Sequence, residues 1–168
     1  MPDNAYPPIR RIVTGHDENG VAKVLIDAAA GNAKLPSPGT VSTLIWCTDK
    51  SPAAIPVGSH VEDMGARIIG TAPPAHGTRF AVIDFPPGNK PFMHRTESVD
   101  YVICLEGEIE MDMDDSTVRM KAGDILIQRG TNHAWANRGS SRARLAFVLI
   151  DAEPVGIGHA IAGTENAR

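Results

Sequence analysis

The sequence predicts an all-β fold, a sandwich or barrel of short strands. Three observations predict it. The chain carries 16 Gly and 13 Pro in 168 residues, enough punctuation for many turns between short elements. Its second half runs as short β-branched and aromatic stretches at close spacing, and no segment shows a persuasive helical period. Glu108, Glu110, Asp112 and Asp114 alternate with Ile109, Met111 and Met113, the period of two that gives a strand one wet and one dry face. A length of 168 residues fits one domain with its own core and would crowd two.

Taken in order, residues 9–14 and 21–26 are β-branched runs whose connection contains Asn19-Gly20, a strong hairpin signal. Residues 28–40 are rich in Ala, Gly and Pro without helical spacing, so a connecting loop is expected there, followed by a strand at 41–47. Pro52 and Pro56 mark another connection, residues 60–69 fit either a strand or a short irregular segment, and Pro73-Pro74 with Gly77 closes the N-terminal part. Further strands are expected at 79–85, 100–105, 108–114, 117–120, 124–128, 133–137 and 144–150. After Glu153 the glycines Gly156, Gly158 and Gly163 suggest a loop and a frayed end, with a short helix near His159 as the alternative. The expected division is an arm over residues 1–75 that carries the hairpin and packs on the barrel or on a partner subunit, a barrel over 76–153, and a tail over 154–168.

A formal charge of -4 and scattered Lys and Arg leave no basic stripe for phosphates, so nucleic acid is not an expected partner. The first eight residues lack the apolar run of a secretory signal, and the longest apolar stretch, 145–150, is too short to cross a bilayer. A cytoplasmic protein without membrane contact is expected. Cys47 and Cys104 lie in apolar runs and read as buried, reduced thiols.

Two stretches place histidines at strand ends. The first runs from Gly88 through His94, Arg95, Thr96, Glu97 and Asp100 to Gly107, and the second from Gly123 through Gln128 and Gly130 to His133, Trp135 and Asn137. His94 and His133 are 39 positions apart and can meet only if the intervening hairpin turns the chain back. Residues two apart on a strand share a face, so His94 projects with Thr96, His133 with Trp135 and Asn137, and Asp100 with Val102 and Cys104 while Tyr101 and Ile103 take the other side. An interior holding those polar groups is more than filling.

On these residues the chain resembles the cupin superfamily, in particular its small single-domain members with a double-stranded β-helix, or jelly-roll, barrel. The family's first motif is matched by Gly88, His94, Asp100 and Gly107, with Asp100 in place of the usual Glu, and its second by Gly123, Gly130, His133 and Asn137, with Gln128 where Pro is usual and one residue fewer after Gly123. The likeness covers roughly residues 79–150 and leaves the first 75 residues unaccounted for. One departure is chemical: Thr96 stands where the second His of the first motif belongs, and a neutral hydroxyl is a poor ligand for a divalent transition metal.

The resemblance then implies a reduced metal set of His94, Asp100 and His133, two imidazoles and a carboxylate able to hold Fe, Mn or Zn, or no metal at all. Asp100 could instead fix a His tautomer, and Glu97 is its first substitute. Arg95 is expected to point outward and pair with an acid, and His16, His60, His76 and His159 read as surface or structural residues. With catalytic His94, His133 and Asp100, and with Thr96, Trp135 and Asn137 against substrate, the leading expectation is metal-dependent lyase chemistry (decarboxylation, dehydration or isomerisation) on a small carbonyl or carboxylate compound. The alternatives are an Fe(II)-dependent dioxygenase, a metal-free His general acid/base enzyme with Asp100 as orienter, and a non-catalytic small-molecule-binding barrel. Small cupins are commonly homodimers, and the N-terminal hairpin suits addition to a neighbour's sheet edge, so a homodimer is expected.

Overall fold

A computed structural model of the chain describes residues 6–161. Eleven strands form it: β1 (Arg10–His16), β2 (Ala22–Ala29), β3 (Ala33–Ser37), β4 (Thr40–Thr48), β5 (Thr78–Phe85), β6 (Ser98–Glu106), β7 (Glu108–Asp112), β8 (Thr117–Lys121), β9 (Ile125–Arg129), β10 (Ala134–Ala136) and β11 (Ala143–Asp151). Among the described residues the sole helical piece is a 3-10 turn at Met64–Ala66, so residues 60–69 are the irregular segment rather than a strand. The fold is all-β, as the turn density and alternation predict.

A six-stranded sheet in the order β3-β4-β5-β11-β6-β9 faces a three-stranded sheet in the order β10-β7-β8. Between them lies a core of Phe85, Val102, Cys104, Ile109, Met111, Met120, Trp135, Leu145, Phe147 and Leu149. The acidic alternation of β7 works as its period requires, sinking Ile109 and Met111 while Glu108, Glu110 and Asp112 reach outward. The β6–β7 turn passes through Gly107 at φ 72°, where a Cβ would stand 2.3 Å from the Arg142 carbonyl oxygen, so only glycine fits.

β1 and β2 pair as a separate antiparallel hairpin, its turn held by the Asp17 carboxylate accepting from the Asn19 and Val21 amides. Residues 28–40 are not simply a loop: β3 pairs with β4, a pairing of alternate residues that an Ala- and Pro-rich stretch does not announce. Of residues 1–75, β1 and β2 thus form their own hairpin, whereas β3 and β4 extend the barrel's larger sheet. A second apolar cluster of Ile45, Val82 and Ala146, with Ile9, Ala30 and Phe80 against it, joins that sheet's outer side to the N-terminal chain. Arg11 clamps Asp63 at 2.7 and 2.6 Å, and Arg144 bridges Asp84 and the Pro7 carbonyl. Residues 152–161 run without a helix, returning along the barrel through Ala152 N to Glu97 O and Ile161 N to Arg95 O. The positions near His159 are therefore not helical, and Gly163 lies outside the described residues.

Candidate active site

The two motif histidines meet. His94 and His133 form an isolated antiparallel bridge, each backbone N–H donating to the other's carbonyl at 2.9 Å. Their rings lie 4.3 Å apart between centroids, at 51° to one another. Phe92 stacks on His94 at 5.4 Å, and Trp135 meets His133 edge-on at 6.2 Å before packing on Phe147. His133 is 4% exposed and His94 half-buried, so the pair opens to solvent on the His94 side.

Each ring is oriented through Nδ1. His94 Nδ1 lies 2.9 Å from the Phe92 carbonyl and His133 Nδ1 lies 2.9 Å from the Thr131 carbonyl. A carbonyl can only accept, so both contacts place the proton on Nδ1 and leave Nε2 with a free lone pair. His133 Nδ1 also lies 3.0 Å from Gln128 Nε2, which donates in turn to Asp100 at 3.0 Å. One ring nitrogen cannot donate to Thr131 and accept from Gln128 together. The His133 tautomer is thereby tied to the orientation of the Gln128 amide, whose Oε1 is buried with no partner to hold it in place.

Behind Gln128 runs a buried polar chain. β6 turns Ser98, Asp100, Val102 and Cys104 inward and Tyr101 and Ile103 outward, by strand alternation. Ser98 donates to Asp100 at 2.6 Å, and the Thr96 and Ser98 hydroxyls lie 2.7 Å apart. Burial pushes the Asp100 carboxyl up to about 6, against the opposing pull of the Ser98 hydroxyl and the Arg79 charge. Burial also pushes His133 down to about 4, helped by the neighbouring His94, while the Thr131 carbonyl works the other way. His94 is lowered by burial too, opposed by its bond to Phe92. Both imidazoles are neutral at pH 7.

The structure separates the remaining predicted residues. Asp100 reaches His133 only through Gln128, and its two oxygens already accept from Ser98 and Gln128. Thr96 is buried in the same chain. Trp135 belongs to the core while its edge touches His133. Asn137 does not join them: its amide donates to the Phe85 and Ser141 carbonyls at 3.0 and 2.8 Å and accepts from the Gly139 amide at 3.0 Å, pinning loops rather than facing the imidazoles. Glu97 is no substitute for Asp100, because it pairs with Arg95 at 2.9 Å and accepts from the Val155 amide. Arg95 finds the expected acid but is buried rather than outward-pointing.

A divalent ion needs three protein donors converging on one point. Among the described residues no three His, Cys, Asp or Glu side chains come together in that way. The expected set of His94, Asp100 and His133 is corrected accordingly: two imidazoles converge, and the carboxylate is engaged elsewhere. This donor set does not fit a resident divalent ion. Sequence reasoning did not single out three residues that the structure places in the same buried polar interior: Gln128, read only as a departure from Pro, Ser98, and Arg79. The alternation of β6 contained the signal for Ser98; nothing local marked Arg79.

Residues 81–150 match the family model described as Cupin domain. The chain is 33% identical over 153 residues to the cupin-domain-containing oxidoreductase fogC of Aspergillus ruber, covering 86% of this chain and 73% of that one. It is 31% identical over 161 residues to the cupin-domain-containing oxidoreductase virC of Hypocrea virens, covering 89% and 80%. It is also 29% identical over 168 residues to the oryzines biosynthesis cluster protein J of Aspergillus oryzae, covering 92% and 89%. Among solved structures, the cupin domain of Schizosaccharomyces pombe Cnp3 superposes with a TM-score of 0.52 over 87% of this chain and 89% of that one, at 15% identity. The chain belongs to the cupin family, and its barrel is the double-stranded β-helix of that family. No helix among the described residues is long and apolar enough to cross a membrane.

Proposed function

We propose that this cupin is a small-molecule enzyme that moves a proton on a carbonyl or carboxylate compound, giving dehydration or isomerisation, with His133 as the general base. One observation carries this reading: two neutral imidazoles lie 4.3 Å apart between centroids with both Nδ1 atoms against backbone carbonyls, which leaves both Nε2 atoms as acceptors. His133 Nε2 takes a proton from the carbon beside the carbonyl. It returns that proton to the departing hydroxyl in a dehydration, or to a second carbon in an isomerisation, so the ring ends neutral. Its buried setting disfavours the imidazolium, which weakens the base in the abstraction and favours the return of the proton. His94 Nε2 accepts a hydrogen bond from a substrate hydroxyl and orients it, and the Trp135 edge and Phe92 ring bound a flat substrate.

Asp100 does not touch substrate: it accepts from Gln128 Nε2 and fixes that amide beside His133, whose Nδ1 proton goes to the Thr131 carbonyl. The two buried free cysteines suit a reducing compartment, and the cytoplasm is the proposed location. The test is solvent exchange: small carbonyl compounds are incubated with the protein in deuterated water and followed by NMR. The parent is expected to exchange the acidic C–H, and a folded His133→Ala variant to do so about a hundredfold more slowly or worse. Equal rates would overturn the assignment. A second reading, oxidoreductase chemistry on the same small-molecule site, takes its support from relatives named cupin-domain-containing oxidoreductases. Oxygen uptake matching product formation would establish it in place of proton transfer.

A further inference from the structure

Arg79 stands on β5 with its side chain inside the barrel. Strand register sets it in one line with Cys47 on β4, Leu149 on β11, Asp100 on β6 and Gln128 on β9, all of them inward-facing. Across two strand spacings it lies about 10 Å from Asp100 along that line, and Gln128 one strand further on touches His133.

Its surroundings are unusual for a buried cation. Arg79 is 8% exposed and makes no ion pair among the described residues. Its one side-chain hydrogen bond runs from Nη2 to the Ser42 hydroxyl at 3.2 Å, and its Nε has no partner. Burial lowers its pKa to about 10, which leaves it charged at neutral pH. The nearest acid to register with it, Asp100, has both oxygens occupied by Ser98 and Gln128. A buried guanidinium without a carboxylate is strongly unfavourable unless something completes it.

The space beside it is suited to do so. A cavity of about 20 Å³, room for little more than one water-sized group before any side chain moves, is lined by Arg79, Ser42, Asn32 and Lys34 together with Leu44 and Ile69. The Lys34 ammonium donates to the Ile69 carbonyl at 2.9 Å and likewise makes no ion pair among the described residues. Arg67, also in the wall, is already matched by Asp49 and Glu62 and contributes no free charge. Two uncompensated cations and a hydroxyl therefore border one small volume, and the planar fork of Arg79 is the shape that takes a carboxylate through two parallel hydrogen bonds.

We propose that Arg79, with Ser42 and Lys34, forms an anion site that binds the carboxylate group of a small acid. The cavity lies on the β3–β4 side of Arg79, whereas Asp100, Gln128 and His133 lie on its other side, so this is an anion site separate from the imidazole pair and independent of the proton-transfer reading. The competing role for Arg79 is to balance the Asp100 charge through the interior, with no ligand at all.

Equilibrium binding distinguishes the two. The full chain is titrated at pH 7 with acetate and with acetamide, by calorimetry and by NMR shifts of the Arg79 and Ser42 signals. Acetate is expected to bind and acetamide, which has the shape without the charge, is not. Arg79→Gln is expected to weaken acetate binding about ten- to a hundredfold, with Arg79→Lys recovering part of the loss. Equal responses to acetate and acetamide, or a folded Arg79→Gln variant that binds like the parent, would overturn the site. Should Arg79→Gln fail to fold, the comparison of the two ligands on the parent and a several-fold weakening in Lys34→Gln decide the matter. Acetate binding without solvent exchange of any substrate leaves the anion site standing and removes the proton-transfer reading; exchange without carboxylate binding does the reverse.

Discussion

At the scale of single residues, His133 and Asp100 are displaced in opposite directions by the same cause, burial, and their pH signatures oppose each other. Asp100 holds its proton more tightly folded, at about 6, than unfolded, near 3.8, so its contribution is fullest below pH 3.8 and is lost as pH rises through 6. His133 titrates at about 4 folded against 6.5 unfolded, so its contribution is present above pH 6.5 and is lost as pH falls through 4. Each shift corresponds to about 3 kcal/mol, and between pH 4 and 6 the two nearly cancel. Denaturant melts across that window are expected to separate them: Asp100→Asn should lose stability steadily on acidification, whereas His133→Phe should gain it. A flat profile in both variants would show that neither group is shifted. Gln128 links the pair, and Gln128→Leu, which strips the buried Asp100 and His133 of a shared partner, is expected to cost about 1–3 kcal/mol in the same measurement. The candidate site was legible at this scale where a motif names a residue, as with His94 and His133. It was not legible where hydrogen bonding decides, which is why Asn137 was assigned to substrate when its amide holds the Phe85 and Ser141 carbonyls.

At the scale of elements, patterns of period two and turn residues located nearly every strand, because alternate burial leaves a direct trace in residue type. β3 escaped for the same reason: its exposed, Pro-containing stretch pairs through a bulged register and has no buried face to write into the sequence. The β6–β7 turn shows how tightly one position can control an element. Gly107→Val would combine a positive φ with a contact on the Arg142 carbonyl, and a loss of about 2 kcal/mol or more is expected on thermal unfolding. An unchanged melting temperature would mean that the turn relaxes freely. β9 closes the larger sheet as an edge strand, and the register that pairs Tyr101 with Ile127 and Ile103 with Ile125 lays four large apolar side chains on its outer face. Leu105 continues that row.

At the scale of the whole molecule, Tyr101, Ile103, Leu105, Ile125 and Ile127 form a row of exposed apolar side chains on the outer sheet face, and the hairpin exposes Ile12 and Val24 as well. A homodimer is the expected state, with light scattering near twice the 17.9 kDa chain mass and a shift to monomer in an Ile125→Lys, Ile127→Lys double variant. A mass near that of one chain for the parent would reject it. By itself the sequence determined the all-β architecture, the order of nearly all the strands and the meeting of His94 with His133, because those depend on local alternation, turn chemistry and a motif whose spacing survives in one dimension. Only the tertiary structure decided that Gln128 stands between Asp100 and His133 and that Arg79 is buried without an ion-pair partner among the described residues. Both facts depend on which side chains from distant strands share one register line, and on how far burial removes them from water, neither of which any stretch of sequence records.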